Sequence, residues 1–122
     1  MKQTESPLAK HIGSFFSSYL SVERGASPHT IRSYANTFVS YIDYMERKKG
    51  IKPHNLSTAS LVKANVLGFL AWIEDTKGVT VLTRNQRLAA IHSLCRYLQH
   101  SDITHIGRWQ EILSIKFKKA HP

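Results

Sequence analysis

With 122 residues, 42% of them hydrophobic, the chain is long enough for one compact domain with a core. It has no apolar run near the roughly 18 residues of a membrane helix, and Met1-Lys2-Gln3-Thr4-Glu5-Ser6-Pro7 lacks the apolar stretch of a secretory signal. A lone cysteine, Cys95, excludes an internal disulfide and fits a reducing cytoplasm. The net charge of +9 favours a polyanionic partner through counterion release, though it also serves plain solubility.

Taken in chain order, Leu8, Ile12, Phe15, Phe16, Tyr19 and Leu20 recur at threes and fours. They predict a first helix that ends near Arg24-Gly25. The second helix, about 28–48, carries Ile31, Ala35, Phe38, Ile42 and Met45 on one stripe and stops at Gly50. Its start is well specified. Ser27 is placed to cap the first turn, and Pro28 gives up no hydrogen bond at the first helical position. The free N–H groups and the positive end of the dipole suit an anion, and Arg32 adds a charge one turn later. Residues 51–56, with Pro53 and Asn55, predict a loop.

Ser57 or Thr58 is expected to cap a third helix bearing Leu61, Val62, Val66, Phe69, Leu70 and Ile73, closed by Lys77-Gly78. Val79-Thr80-Val81 is expected to be an extended connector, with Thr83 capping a fourth helix whose stripe is Leu88, Ile91, Leu94, Cys95 and Leu98. A short last helix near 106–113 presents Ile106, Trp109, Ile112 and Leu113, and Ile115-Lys116-Phe117-Lys118-Lys119 is expected to be an unpacked basic tail. The predicted fold is all-α, a compact bundle of four to five helices. Residues 1–5 are expected to be disordered, 6–115 to form the domain and 116–122 to be the tail.

Few of these residues suit catalysis. No two of His11, His29, His54, His92, His100, His105 and His121 are three or four apart, so no helix face offers a metal pair. Cys95 lies on an apolar stripe as a small hydrophobe. Glu74-Asp75 reads as solvated surface. There is no G-x-S-x-G, H-E-x-x-H or phosphate-cradling glycine loop. We therefore expect no active site complete within the chain, no cofactor and no metal.

Two polar faces carry the functional expectation. Opposite the core stripe of the second helix lie His29, Arg32, Ser33, Asn36 and Ser40, with no acidic residue before Asp43. Off the apolar stripe of the fourth lie Arg84, Asn85, Arg87, His92, Ser93 and Arg96, with no acidic residue between 77 and 99. A solvated helix face ordinarily mixes signs, because oppositely charged pairs stabilise it and like charges repel. Arg and Asn also reach guanine and adenine edges, and Ser and Thr bond phosphates. Arg32, Asn36, Arg84, Asn85, Arg87 and Arg96 are the main candidate DNA contacts, with Ser27, Thr30 and Thr83 on phosphates. The bland reading of both faces is a basic surface with no partner. Tyr34, four residues from Thr30, reads as half-buried with its hydroxyl at the rim.

The order Tyr19-Leu20, Arg24-Gly25, Ser27-Pro28, Thr30, Tyr34 and Phe38, then Leu56-Ser57, Val66 and Phe69-Leu70, then Thr83, Asn85, Arg87-Leu88-Ala89-Ala90-Ile91, Leu94 and Tyr97-Leu98, resembles a known family. It is similar to the N-terminal core-binding domain, of SAM-like fold, of tyrosine recombinases of the phage-integrase and transposon-integrase group. The resemblance covers roughly residues 6–119. Its most specific part is the Ser-x-x-Thr-x-x-x-Tyr helix start joined to the Arg-Leu-x-Ala-Ile helix.

The resemblance implies a clamp around double-stranded DNA, in which this domain supplies two helices to the major groove and a C-terminal catalytic domain of the same parent chain closes the other side. Those two helices would be the second and fourth. The family's tyrosine nucleophile and its Arg, Lys and His partners belong to the catalytic domain, so Tyr34 and Tyr97 are not expected to be nucleophiles and this part is not expected to be an enzyme. Lys116, Lys118 and Lys119 would follow the DNA backbone, other recombinase protomers would be partners on DNA, and the location would be cytoplasmic. The chain departs from many members at 102–105, where a further helix around Trp109 replaces an early Asn-Pro linker; longer transposon-type members carry such an insert. Two other readings compete: a helical protein-interaction module with an apolar patch near Trp109 and Phe117, and a helix-turn-helix regulator. The latter needs a turn of three or four residues, shorter than the expected 77–83 connector.

Overall fold

The computed structural model describes residues 6–119 and divides into two compact units, one ending at Leu61 and the other beginning at Val62. Among the described residues there are five α-helices and no strand, so the all-α expectation holds.

In the first unit, Ser6 caps α1 (Pro7–Ser14), accepting from the Ala9 N–H at 3.0 Å, with Pro7 at the first position. The chain then widens into a π-helical stretch, Phe15–Glu23. The Arg24 N–H reaches back five residues to the Tyr19 carbonyl at 2.8 Å, and the Ser21 hydroxyl donates to the Phe16 carbonyl, also five back, at 2.7 Å. The predicted first helix is therefore continuous in sequence but not in kind.

α2 (Pro28–Lys49) begins as expected: Ser27 Oγ accepts from the Thr30 N–H at 3.2 Å. Its end is set by Gly50, whose φ of +69° is cheap only for glycine, and by the Gly50 and Ile51 N–H groups, which take the Glu46 and Met45 carbonyls. Its most buried residues are Thr37, Phe38, Tyr41, Tyr44 and Met45, while Ile31, Ala35 and Ile42 are half-buried. The core face is thus centred on tyrosines, which a stripe drawn from aliphatic residues underweights. Phe15 and Phe16 meet Phe38 edge-on, at 6.1 and 5.8 Å between ring centroids, geometry that aromatic quadrupoles favour. The Tyr41 hydroxyl donates to the Ser60 carbonyl at 2.6 Å, so its buried polar end is satisfied.

The third helix starts later than predicted. Ser57 and Ser60 form a capping box on a single 3-10 turn, Thr58–Ser60, and Leu61 and Val62 are extended or irregular. Serine caps favour any turn with free N–H groups, and here that turn stops after one cycle.

In the second unit α3 (Lys63–Thr76) buries Val66, Phe69, Leu70, Trp72 and Ile73. α4 (Val81–Ser101) packs on α3 and on α5 (Ile106–Leu113). Its cap is Thr80, not Thr83: Thr80 Oγ1 accepts from the Thr83 N–H at 3.1 Å, and Val81 already opens the helix. The turn between α3 and α4 is therefore the four residues Lys77-Gly78-Val79-Thr80, and a connector too long for a helix-turn-helix is not what is found. Trp109 is fully buried and donates from Nε1 to the Asp102 carbonyl at 3.0 Å, so it anchors α5 and offers no surface patch. Asp102 also pairs with His105 at 2.8 Å. Among the described residues no helix is long and apolar enough to cross a membrane.

Candidate nucleic-acid interface

The start of α2 carries the plainer of the two faces. Ser27 caps with its oxygen and donates to Thr30 Oγ1 at 3.2 Å, so both hydroxyls sit at the exposed mouth of the first turn. His29, Arg32 and Asn36 are exposed, and Ser33 and Ser40 are half-buried on the same side. Among the described residues the side chains of His29, Arg32 and Asn36 take no hydrogen bond or ion pair from the protein. The nearest acidic residue along the helix, Asp43, is engaged by Arg47 at 2.8 Å. What remains is a dipole's positive end, a guanidinium and an amide on an open surface, the chemistry of phosphate and base-edge contact. Tyr34 is half-buried, as expected.

α4 is different. Arg84 was expected on an open face, yet it is 5% exposed. Its Nη1 donates to the Lys116 carbonyl at 3.1 Å and to Asn85 Oδ1 at 3.0 Å, and its Nε lies 3.9 Å from Glu74 Oε1 without a hydrogen bond. Asn85 is half-buried; its Nδ2 donates to the Lys118 carbonyl at 2.8 Å and its Oδ1 accepts the Lys118 N–H at 3.0 Å. His92 is buried, with Nε2 at 3.1 Å from the Ile112 carbonyl and its ring edge-on to Phe117 at 5.4 Å. Burial holds its imidazole below the usual 6.5; Arg96 and Arg84 push the same way, against the bond to Ile112.

These contacts correct several expectations. Arg84 and His92 do not lie on a solvent-facing stripe. Arg84 serves the Lys116 carbonyl, in a segment without regular structure that must find partners for its own N–H and C=O groups, and His92 meets the Ile112 carbonyl in the last turn of α5. The basic tail is not loose either. Ile115 is buried, Phe117 is 50% exposed against His92, and Lys118 Nζ pairs with Glu74 at 2.9 Å. Glu74, read from the sequence as solvated surface, is the acidic partner of both Lys118 and Arg84. No signal within α4 could have revealed it, since it comes from α3.

Thr83 sits in the first turn of α4 beside its cap, half-buried, with its Oγ1 3.3 Å from the Thr80 hydroxyl. Arg87 is half-buried, while Arg96, Lys116 and Lys119 are exposed. Cys95 is buried, and desolvation raises its thiol pKa to about 12, which makes it inert as a nucleophile. Among the described residues no group of three or more His, Cys, Asp or Glu could hold a metal ion. The expectation of disorder at 1–5 and the tail end at 120–122 lie outside the described residues.

Comparison with known proteins points one way. Residues 14–102 match the model of the family described as phage integrase, N-terminal SAM-like domain. The chain is 37% identical over 112 residues to a Sinorhizobium fredii protein described as an integrase/recombinase, y4rC, covering 92% of this chain and 34% of that one. It is 30% identical over 112 residues to the tyrosine recombinase XerC of Pelotomaculum thermopropionicum, covering 92% and 36%. With the tyrosine recombinase XerD of Listeria monocytogenes it shares 29% over 85 residues, covering 70% and 27%. The chain thus spans about a third of the length of these relatives. No solved structure matches it.

Proposed function

The chain belongs to the phage-integrase N-terminal SAM-like domain family, and from that membership we propose that it binds duplex DNA as the N-terminal part of a tyrosine recombinase. Strand cleavage and rejoining would be the work of a C-terminal catalytic domain in the same parent chain, with further protomers assembled on the DNA in the cytoplasm. The matched relatives named as recombinases, each more than twice as long as this chain, support that division of labour.

The observation that carries the reading is the opening of α2. Arg32, Asn36 and His29 are exposed beside a capped helix start, and no acidic residue precedes Asp43 on that helix. Ser27 and Thr30 suit a phosphate, and Arg32 and Asn36 suit base edges or the adjoining backbone. In the second unit Arg96, Lys116 and Lys119 are exposed and suit phosphate contact, with Thr83 at the helix start, while Arg87 is half-buried. Arg84, Asn85 and His92 are committed to the tail, and Lys118 to Glu74 and Asn85.

A backbone-amide NMR titration with a short generic duplex at low salt tests the reading. Shifts concentrated at 27–36 are expected, with smaller ones near 87, 96 and 116–119. Shifts confined to α5, or none at a duplex concentration of about 1 mM, would remove the DNA-binding role from the isolated chain; that ceiling lies above the ~10⁻⁴ M typical of weak non-specific binding.

A further inference from the structure

The side chains expected to reach outward from the start of α4 instead hold a strap. From Ile112 to Lys118 the chain runs back along α4, meeting first His92, then Arg84 and Asn85. Seven residues of helix rise roughly 10 Å, so the strap follows α4 for about two turns. Among the described residues its main-chain turn bonds are at its beginning, where the Ser114 and Ile115 N–H groups reach carbonyls of α5. Beyond that point α4 side chains supply the polar partners.

Asn85 matters most among them. A carboxamide presents one C=O and one N–H in a plane, as a peptide unit does. Asn85 uses both on a single residue, accepting the Lys118 N–H and donating to the Lys118 carbonyl, and so stands in for a neighbouring strand. Arg84 adds a bond to the Lys116 carbonyl and leaves its buried Nε without a hydrogen bond to do so. Glu74 adds an ion pair to Lys118, whose side chain is 51% exposed; screening makes that pair a minor contributor. Ile115 closes the strap from inside.

We propose that Asn85, supported by Arg84 and Glu74, forms a clasp that fixes residues 115–118 along α4 and so sets the direction in which the chain leaves the second unit. Anything joined beyond Lys119 starts from a held position. The clasp presents Lys116 and Lys119 outward while Ile115 and the Lys118 main chain are bound. It is built chiefly of neutral hydrogen bonds, so salt that loosens Lys118 from Glu74 leaves it closed. It does not depend on DNA binding, and its test involves no DNA.

Backbone ¹⁵N relaxation on the 122-residue chain reads the clasp directly. The Lys118 amide is expected to have an order parameter near the ~0.85 of rigid backbone, and to fall below about 0.6 in Asn85→Ala while amides 88–98 are unchanged. In Glu74→Gln, and in about 0.5 M salt, it is expected to stay rigid. Hydrogen exchange on the native chain gives a reading free of any variant: the Lys118 N–H should exchange at least about tenfold more slowly than the Lys119 N–H, which has no protein partner among the described residues. Equal exchange rates, a mobile Lys118 in the native chain, or an Asn85→Ala strap as rigid as the native one would each overturn the clasp.

Discussion

The two units each contribute a helix whose opening turns lack acidic residues, and they use that stretch in opposite ways. On α2 Arg32 and Asn36 are exposed and, among the described residues, unengaged. On α4 the corresponding pair, Arg84 and Asn85, turns onto the chain's own tail. The lesson concerns what a charge pattern reports. Absence of acidic residues along one helix says that the helix does not neutralise itself. It does not say whether the neutralising group is a phosphate, a glutamate on another helix or a run of backbone carbonyls.

The largest effect expected from breaking this contrast lies beneath α4. Trp109→Ala would remove the buried anchor of α5, and with it the carbonyl position that His92 uses. A loss of about 3–5 kcal/mol in denaturant unfolding is expected, with the second unit losing order first. A loss under about 1 kcal/mol would mean that α5 is dispensable to that arrangement. Next in size is Arg84→Ala. It leaves the Lys116 carbonyl without its partner, at a cost of about 1–3 kcal/mol, and should leave the salt dependence of duplex binding unchanged. If stability held and the slope of log affinity against log salt fell by about one, Arg84 would belong with Arg32 and the contrast would collapse.

Arg32→Ala is the counterpart with the signature reversed. Stability should stay within about 0.5 kcal/mol, and the salt slope should drop by about one unit. Acid gives the gentlest probe. Because His92 is held below 6.5 when folded, the unfolded chain binds its proton first as pH falls. The stability that neutral His92 contributes is complete above 6.5 and is lost as pH falls below that value toward its folded pKa. Urea midpoints at about pH 7.5 and 5.5 measure the loss, and His92→Gln should reduce it. An unchanged difference would show that the titration lies elsewhere.

Local signals told the sequence reading most of the helix plan, and the misses have local causes too. Ser27-Pro28 and Gly50 mark the ends of α2 because each satisfies a requirement of its own turn. Thr80 and Thr83 are three apart, and either could cap α4; the choice falls to Thr80 because Gly78, at φ +66°, turns the chain just before it. Ser57 caps a turn as expected, but whether that turn grows into a helix depends on packing that no cap encodes. The candidate site was legible on α2, where exposure follows from periodicity. On α4 it was not, since Glu74 and residues 112–118 lie far away in sequence, and only folding brings them to Arg84, Asn85 and His92.

The π-helical stretch Phe15–Glu23 bears on how the chain tolerates changes of length. Bonds that close over five residues hold more than the 3.6 residues of an α-turn, so this stretch already accommodates surplus chain without a bulge or loop. Ser17 and Ser18 are exposed. Losing one of them would let the turn tighten to α geometry, whereas an omission inside α4 would rotate Arg84 and Asn85 away from the strap. The first unit can therefore absorb the loss of one residue within this stretch, where the same loss inside α4 would undo the strap.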